Sequence, residues 1–235
     1  HPPIWIPGGG SVETWRWCAE MDYVYSYLSY YGYKAGMATM KGFWEEMKKL
    51  GKEPNPYMAG FAQAIGVAET EKEALELYKE PAEYFFDKCL HVDPRFAGPP
   101  GYVTEATQRA GLESQIGRAS QTVNAAASQR AISKTAREFP AILENGYIIC
   151  GSPDQVAEQL RELAKELHVG HLMCLLQFGN MGKQLTQYNT RIFAEKVMPQ
   201  LKDLFDDEWE DRWWPKPMDP ADTATPMARP GMAAE

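Results

Sequence analysis

Apolar residues along this chain alternate between short strand-type runs and longer stretches with helical spacing. Ile4–Ile6 is a β-rich run that ends at a proline and three glycines, and residues 12–20 then have helical periodicity. A second β-branched and aromatic run covers Tyr23–Leu28, and apolar positions at three- and four-residue steps predict a helix over Met37–Leu50. This alternation predicts β-α-β units and a parallel sheet.

The middle of the chain continues this rhythm. Gly32 and Gly36 predict a break before the second helix, and Tyr57–Ala68 is a long β-type run. A threonine and a glutamate at positions 70 and 73 predict a capping box at the start of the next helix. Pro81 predicts a kink or a restart within that helix.

The alternation of strand-type and helical segments returns in the carboxyl-terminal third. Tyr147–Cys150 reads as a strand, and residues 152–155 (Ser-Pro-Asp-Gln) form an unusually complete helix start, with an N-cap, a first-turn proline, an acid and a residue that closes the capping box. His171–Phe178 is a nearly continuous apolar run, as expected for a strand covered on both faces. Leu185–Phe205 is predicted to be one long helix.

Two regions depart from the rhythm. Residues 87–139 contain a proline- and glycine-rich loop and polar, alanine-rich segments with helical character, and we interpret them as an insertion in a domain that covers 1–205. Such an insertion serves as a lid or substrate loop, or is a plain surface elaboration. Residues 206–235 are acidic and aromatic and then rich in proline and alanine, which predicts a flexible tail.

Composition narrows the function classes. The chain has 235 residues and a net charge of −8, which argues against a nucleic-acid or anionic-membrane partner. No apolar run approaches the ~18 residues that a membrane span needs, and the four cysteines lack metal-ligand spacing, so we expect no metal site. The cysteines are scattered, and the sequence shows no secretion leader. Both observations favour a reducing, cytoplasmic compartment.

The turn after the first predicted strand is the main candidate site. Gly8, Gly9 and Gly10 allow a close backbone approach, and Ser11 and Val12 open a helix whose first N–H groups lack intrahelical partners. This combination suits an anion, for example the phosphate of a nucleotide or flavin. Many glycine turns only reverse the chain, and the spacing alone leaves that alternative open.

Three segments taken together resemble the bacterial luciferase-like, flavin-dependent monooxygenase family. They are PPIWIPGGGSVETW, IGVAETEKEALELY, and GSPDQVAEQLRELAKELHVGHLMCLLQFGNM with the later QYNTRIFAEKVMPQL. The resemblance covers about residues 2–205 and implies a (β/α)8 barrel that binds FMN at the carboxyl ends of its strands. By this resemblance the chain supplies about half of a TIM barrel, strands five to eight, which would be Ile4–Ile6, Tyr23–Leu28, Tyr57–Ala68 and His171–Phe178.

The resemblance also implies site residues. Family members hold the FMN phosphate with backbone N–H groups and small polar side chains after strand five, which matches residues 8–12. Tyr27 would face the cofactor end of the barrel as a pocket residue, or else pack in the core. Gln177, Asn180 and Met181 end the last strand, either near the flavin or as a simple turn. The catalytic residues are unknown and are expected in the amino-terminal half, which this sequence lacks.

The function that the resemblance implies is an FMN-dependent oxidoreductase or monooxygenase. Reduced flavin, free or delivered by a separate reductase, would use O2 to oxygenate a small organic substrate, and a deazaflavin is the near variant. The alternative is a truncated half-barrel that is catalytically incomplete and needs a partner chain, or that is not catalytic. An open half-sheet favours a homo-oligomer or pairing with the missing amino-terminal half.

Overall fold

A computed structural model of the protein describes residues 3–28, 32–89, 138–205 and 209. The predicted parallel sheet is confirmed, because all its strand pairs run parallel. The strands are β1 (Trp5–Gly8), β2 (Val24–Tyr27), β3 (Ala59–Val67), β4 (Ile148–Gly151) and β5 (His171–Leu175).

Helices follow or precede every strand, as the alternation predicts. They are α1 (Val12–Met21), α2 (Gly32–Lys49), α3 (Glu71–Tyr84), α4 (Phe139–Glu144), α5 (Pro153–Leu167) and α6 (Lys183–Ile192). Short 3-10 turns at Pro56–Met58 and Met198–Leu201, and π turns at Phe85–Cys89 and Phe193–Val197, complete the described elements.

β3 is the central strand of the sheet. The strand order is β1-β2-β3-β4, and β5 pairs with β3 as well. Phe61 pairs with both Tyr27 of β2 and Leu172 of β5, so these two strands flank β3 on opposite sides. β4 pairs with β3 over Ala64–Val67, beyond the point where β2 ends. All carboxyl ends therefore point to one edge of the sheet.

Helices pack on both faces of the carboxyl-terminal half of the sheet. Ile149 belongs to one hydrophobic cluster with residues of α1, α2 and α5, whereas its neighbours Ile148 and Cys150 belong to a second cluster with residues of α3 and α4. Adjacent strand residues face opposite sides, so each cluster lies on its own face. A barrel wall would carry its helices on one face only. The half-barrel and its strand numbering thus stay predictions.

The second helix begins earlier than predicted. Gly32, its first residue, has a left-handed φ of 69° and does mark a break after β2, whereas Gly36 lies inside the helix and breaks nothing. α2 already includes Gly32 and Gly36. A Cβ on Gly36 would lie 2.7 Å from a ring carbon of Phe61 and 3.0 Å from one of Tyr27. The missing side chain therefore lets α2 approach the sheet closely, at the helix-propensity cost of a glycine.

Two further helix predictions need correction. Pro81 does not restart its helix, because α3 runs through it from Glu71 to Tyr84; a kink at this buried proline stays a prediction. The long terminal helix is not uniform, since α6 ends at Ile192 and continues first as a π turn and then as a 3-10 turn. The capping box at residues 152–155 is present as predicted.

Several sequence predictions lie outside the described residues. They are most of the insertion at 87–139 and, apart from Trp209, the tail from 206 onwards. Trp209 itself is buried, and its amide N–H donates to the carbonyl oxygen of Phe205 at 3.0 Å. Among the described helices, none combines the length and the apolar character that crossing a bilayer requires.

Candidate functional site

The glycine turn joins the end of β1 to the start of α1 at the carboxyl edge of the sheet. Gly8 is the last residue of β1 and pairs with Tyr27 of β2. Ser11 is the N-cap of α1, with extended backbone angles (φ −83°, ψ 119°). The serine is a favoured N-cap residue because its side-chain oxygen can accept a bond from the first helical turn. Here Ser11 Oγ accepts from the Thr14 amide N–H at 3.4 Å, a long hydrogen bond.

The backbone donors of this turn have no acceptor in the described part of the chain. In the part of the chain that the structure describes, no hydrogen bond has the amide N–H of Gly9, Gly10, Ser11 or Val12 as its donor. Gly9 and Gly10 are exposed. A Cβ built on either glycine would meet no atom within 4 Å. Consecutive N–H groups at a helix start beside open space are a donor set that suits an anion.

One feature of the turn opposes an anion. Glu13 lies in the first turn of α1, and its Oε2 accepts a hydrogen bond from Ser11 Oγ at 2.9 Å. A carboxylate at a helix start interacts favourably with the helix dipole, as a bound phosphate would. The two negative groups would therefore compete for the same positive end of α1.

A buried tyrosine, which the sequence gives no reason to single out, donates hydrogen bonds to the carbonyl groups of the turn. Tyr25 Oη donates to the carbonyl oxygen of Gly8 at 3.3 Å and, in a shorter contact, to that of Gly9. The Leu28 amide N–H also donates to the Gly8 carbonyl, at 3.3 Å. The only sequence signal for this role is the position of Tyr25 on the buried strand β2, two residues before Tyr27, which pairs with Gly8.

Tyr27 makes core contacts in the described structure. Its side chain is buried, and its ring lies 5.6 Å from that of Phe61, centroid to centroid. The ring also lies against Gly36 of α2, and Tyr27 belongs to the hydrophobic cluster on the face covered by α1, α2 and α5. These contacts match the core-packing alternative, and a role of Tyr27 in cofactor binding stays a prediction.

The turn after β5 is stabilised by its own residues. The Asn180 side-chain amide donates to Glu80 Oε1 at 2.9 Å, and the Met181 sulfur accepts from the Phe178 amide N–H at 3.4 Å. Gln177 is exposed. The Asn180 amide therefore ties the turn to α3, which fits the turn-forming alternative for this segment.

A buried asparagine fixes the carboxyl ends of β3 and β5 relative to each other. Asn189 of α6 is fully buried; its Oδ1 accepts from the Val67 amide N–H at 2.8 Å. Its Nδ2 donates to the carbonyls of Ile65 (2.8 Å) and Leu176 (2.9 Å). The side chain thus replaces ladder bonds where the two strands separate, and it satisfies backbone groups that would otherwise be costly to bury. Sequence reasoning missed this residue, because one polar residue in a helix gives no distinct signal.

The buried cysteines offer no reactive thiol. Burial raises the pKa of Cys18 to about 11 and the pKa of Cys150 to about 12. Both thiols therefore stay protonated near neutral pH, and a protonated thiol is a poor nucleophile and metal ligand. Within the described residues, no group of three or more histidine, cysteine, aspartate or glutamate side chains could hold a metal ion.

No model of a known protein family matches this chain, and no curated protein matches it. Solved structures do. The oxygenating constituent of 3,6-diketocamphane monooxygenase from the CAM plasmid of Pseudomonas putida, a type II Baeyer-Villiger monooxygenase in complex with FMN, is 17% identical over 85% of this chain and 49% of its own, with a TM-score of 0.54.

Two more matches have slightly lower scores. Monooxygenase RslO1 from Streptomyces bottropensis is 15% identical over 85% of this chain and 48% of its own, with a TM-score of 0.49. The coenzyme F420-dependent tetrahydromethanopterin reductase from Methanopyrus kandleri is 14% identical over 85% of this chain and 51% of its own, also with a TM-score of 0.49.

The chain spans about half the length of each of these structures. At so low an identity, the likeness to the diketocamphane monooxygenase shows the fold alone. The chain shares with that protein an α/β arrangement of parallel strands and helices.

Proposed function

We propose that this chain is part of an FMN-dependent oxidoreductase and that the glycine turn at residues 8–12 holds the phosphate of the flavin. The observation that carries the proposal is the run of amide N–H groups from Gly9 to Val12, which bond to no described protein group; the space beside Gly9 and Gly10 is open. The fold match to a monooxygenase in complex with FMN supports the choice of ligand.

The position of the turn also supports the proposal. It follows a parallel strand at the carboxyl edge of the sheet, where α/β proteins of both the open-sheet and the barrel type bind their ligands. Helix α1 has ten residues, so its aligned peptide dipoles add to the local positive potential at the turn. The argument therefore does not depend on whether the complete sheet closes into a barrel.

The flavin would supply the redox chemistry, and the protein would bind and orient it. Residues 8–12 would fix the phosphate end, and Asn189 would keep the neighbouring strand ends at a fixed spacing. Tyr27 belongs to the proposed cofactor-binding set only through the resemblance. A small organic substrate, O2 as oxidant, and reduced flavin from a separate reductase are the remaining parts of the proposal.

Binding of FMN and riboflavin to the parent chain, followed by flavin fluorescence, tests this function. The two flavins differ in the phosphate only, so FMN should bind at least ~10-fold more tightly if the turn makes charge-assisted hydrogen bonds to it. Gly9→Asp should remove this preference, because it places a carboxylate among the donors.

Gly9→Asn is the matched control, since it adds a side chain of the same size without the charge. Space around Gly9 is open, so neither substitution meets a steric obstacle in the described structure. Equal affinities of the parent chain for FMN and riboflavin would overturn the proposal, and so would an FMN preference that Gly9→Asp leaves unchanged.

A further inference from the structure

Tyr25 connects the glycine turn to the hydrophobic core. Its ring is fully buried; it stacks on Phe43 of α2 at a centroid distance of 4.8 Å and meets Trp15 of α1 edge-on at 6.3 Å. Aromatic contacts on two sides leave the ring little freedom to move. The position of its hydroxyl group is therefore set by the packing of both helices against β2.

The turn is shaped to meet this hydroxyl group. A Cβ on Gly8 would lie only 3.2 Å from Tyr25 Cε2, so a larger residue would press against the ring. With glycine there, Tyr25 Oη reaches the carbonyl oxygens of both Gly8 and Gly9. The described structure has no other hydrogen bond to the Gly9 carbonyl, whereas the Gly8 carbonyl also accepts from Leu28.

The direction of a carbonyl fixes the direction of the next amide. Peptide units are planar, and no cis peptide bond occurs among the described residues, so each C=O points opposite to the N–H of the same unit. The Gly8 and Gly9 carbonyls point to Tyr25 in the core. The N–H groups of Gly9 and Gly10 consequently point away from the core, toward the open space beside the turn.

We infer that Tyr25 is a positioning residue, which holds the Gly8 and Gly9 peptide units so that their amides face a bound phosphate. The inference rests on the proposed function. Tyr25 itself does not contact the ligand; it acts through the two carbonyls. Burial raises the pKa of the Tyr25 hydroxyl well above its usual range, so the group is a hydrogen-bond donor near neutral pH.

The test compares Tyr25→Phe with Tyr78→Phe. Tyr78 is also fully buried, and its hydroxyl donates to the Val67 carbonyl at 2.8 Å, far in sequence from the turn. Both variants remove one buried hydroxyl group, which donates to two carbonyl oxygens in Tyr25 and to one in Tyr78, and both keep the ring, so they should lower stability to a similar extent. The readout is the ratio of riboflavin to FMN dissociation constants, which isolates the phosphate and is insensitive to a general loss of stability.

Tyr25→Phe should lower this ratio about 5-fold or more, because the freed carbonyls let the two peptide units rotate. The affinity of Tyr25→Phe for riboflavin should stay at the parental value. The ratio measured for Tyr78→Phe should also stay at the parental value. Gly8→Ala tests the same geometry from the turn and should also lower the ratio; it decides the question if Tyr25→Phe does not fold.

An unchanged ratio in Tyr25→Phe, or an equal fall in Tyr78→Phe, would overturn the inference alone. A parent chain without FMN preference would overturn the proposed function and this inference with it.

Discussion

Two strand-to-helix junctions at the same edge of the sheet differ in whether their backbone amides have hydrogen-bond acceptors. After β4, Gln155 Oε1 accepts from both the amide N–H and the hydroxyl group of Ser152, each at 3.0 Å. A Cβ on Gly151 would lie 2.9 Å from that same oxygen, so the junction is closed by its own side chains. After β1, the amides from Gly9 to Val12 have no described acceptor, and the space beside Gly9 and Gly10 is open.

The difference separates a structural helix start from a candidate binding site. Both junctions carry a serine N-cap, and both helices have an acid in the first turn. They differ at the third helical position, which is glutamine in α5 and threonine in α1. A glutamine there reaches back to the N-cap amide, whereas threonine is too short to do so. The residue at this position therefore decides whether the N-cap amide is used internally or remains available. The first helical residue adds to the difference, since Pro153 has no N–H and Val12 has one.

The largest expected effect comes from opening the closed junction. Gln155→Thr removes the acceptor of the Ser152 bonds and should lower the free energy of unfolding by about 1 kcal/mol. Urea denaturation gives this value. Gln159→Thr, on the same helix and without such a bond, measures the propensity cost of threonine alone. Equal losses in the two variants would mean that the capping box contributes nothing.

A smaller effect is expected from closing the open junction. Thr14→Gln should build the missing capping box at α1, raise stability by about 0.5 kcal/mol and weaken FMN binding about 3-fold, because the Ser11 amide becomes occupied. Fluorescence titration measures the binding. Thr14→Met has a similar length and no acceptor, so it controls for bulk. If the methionine variant weakens FMN binding as much as the glutamine variant does, occupation of the amide is not the cause.

The smallest expected effect concerns the charge beside the open junction. Glu13→Gln removes the carboxylate that competes with a phosphate and should strengthen FMN binding about 2-fold at low salt, with less effect at high salt. Glu20→Gln changes the net charge equally near the other end of α1 and serves as control. An identical gain in both variants would indicate a net-charge effect and no local competition at Ser11.

The sequence predicts strands better than it predicts what glycines do between them. β1 to β5 all lie within or next to predicted runs. β2, β3 and β4 are buried throughout, as apolar strands of a parallel sheet should be, whereas β1 and β5 are only partly buried, so the predicted cover on both faces of β5 is not complete in the described structure. The sequence predicts a break at both Gly32 and Gly36. Gly32 has a left-handed φ at the start of α2 and packs against the backbone of Gly146, whereas Gly36 lies inside α2, where a missing side chain allows close contact with the sheet. Local propensity cannot distinguish these two uses of glycine, since the deciding partner is distant in sequence.

The candidate site was predictable only in part for the same reason. The glycine turn and its N-cap serine are local signals, and both are where the sequence predicts them. Tyr25 and Asn189 act on carbonyls and amides that are brought near them by the fold. Their roles depend on tertiary contacts, and neither residue type at its position carries a local pattern that would reveal them.

NMR titration of the isotope-labelled chain with FMN tests the central claim most directly, because it follows the amides of both junctions in one experiment. The account predicts that FMN shifts the amide resonances of Gly9, Gly10, Ser11 and Val12, that inorganic phosphate at higher concentration shifts the same set, and that Ser152 and Gln155 do not respond. FMN that shifts resonances elsewhere while those of residues 9–12 stay in place would contradict it.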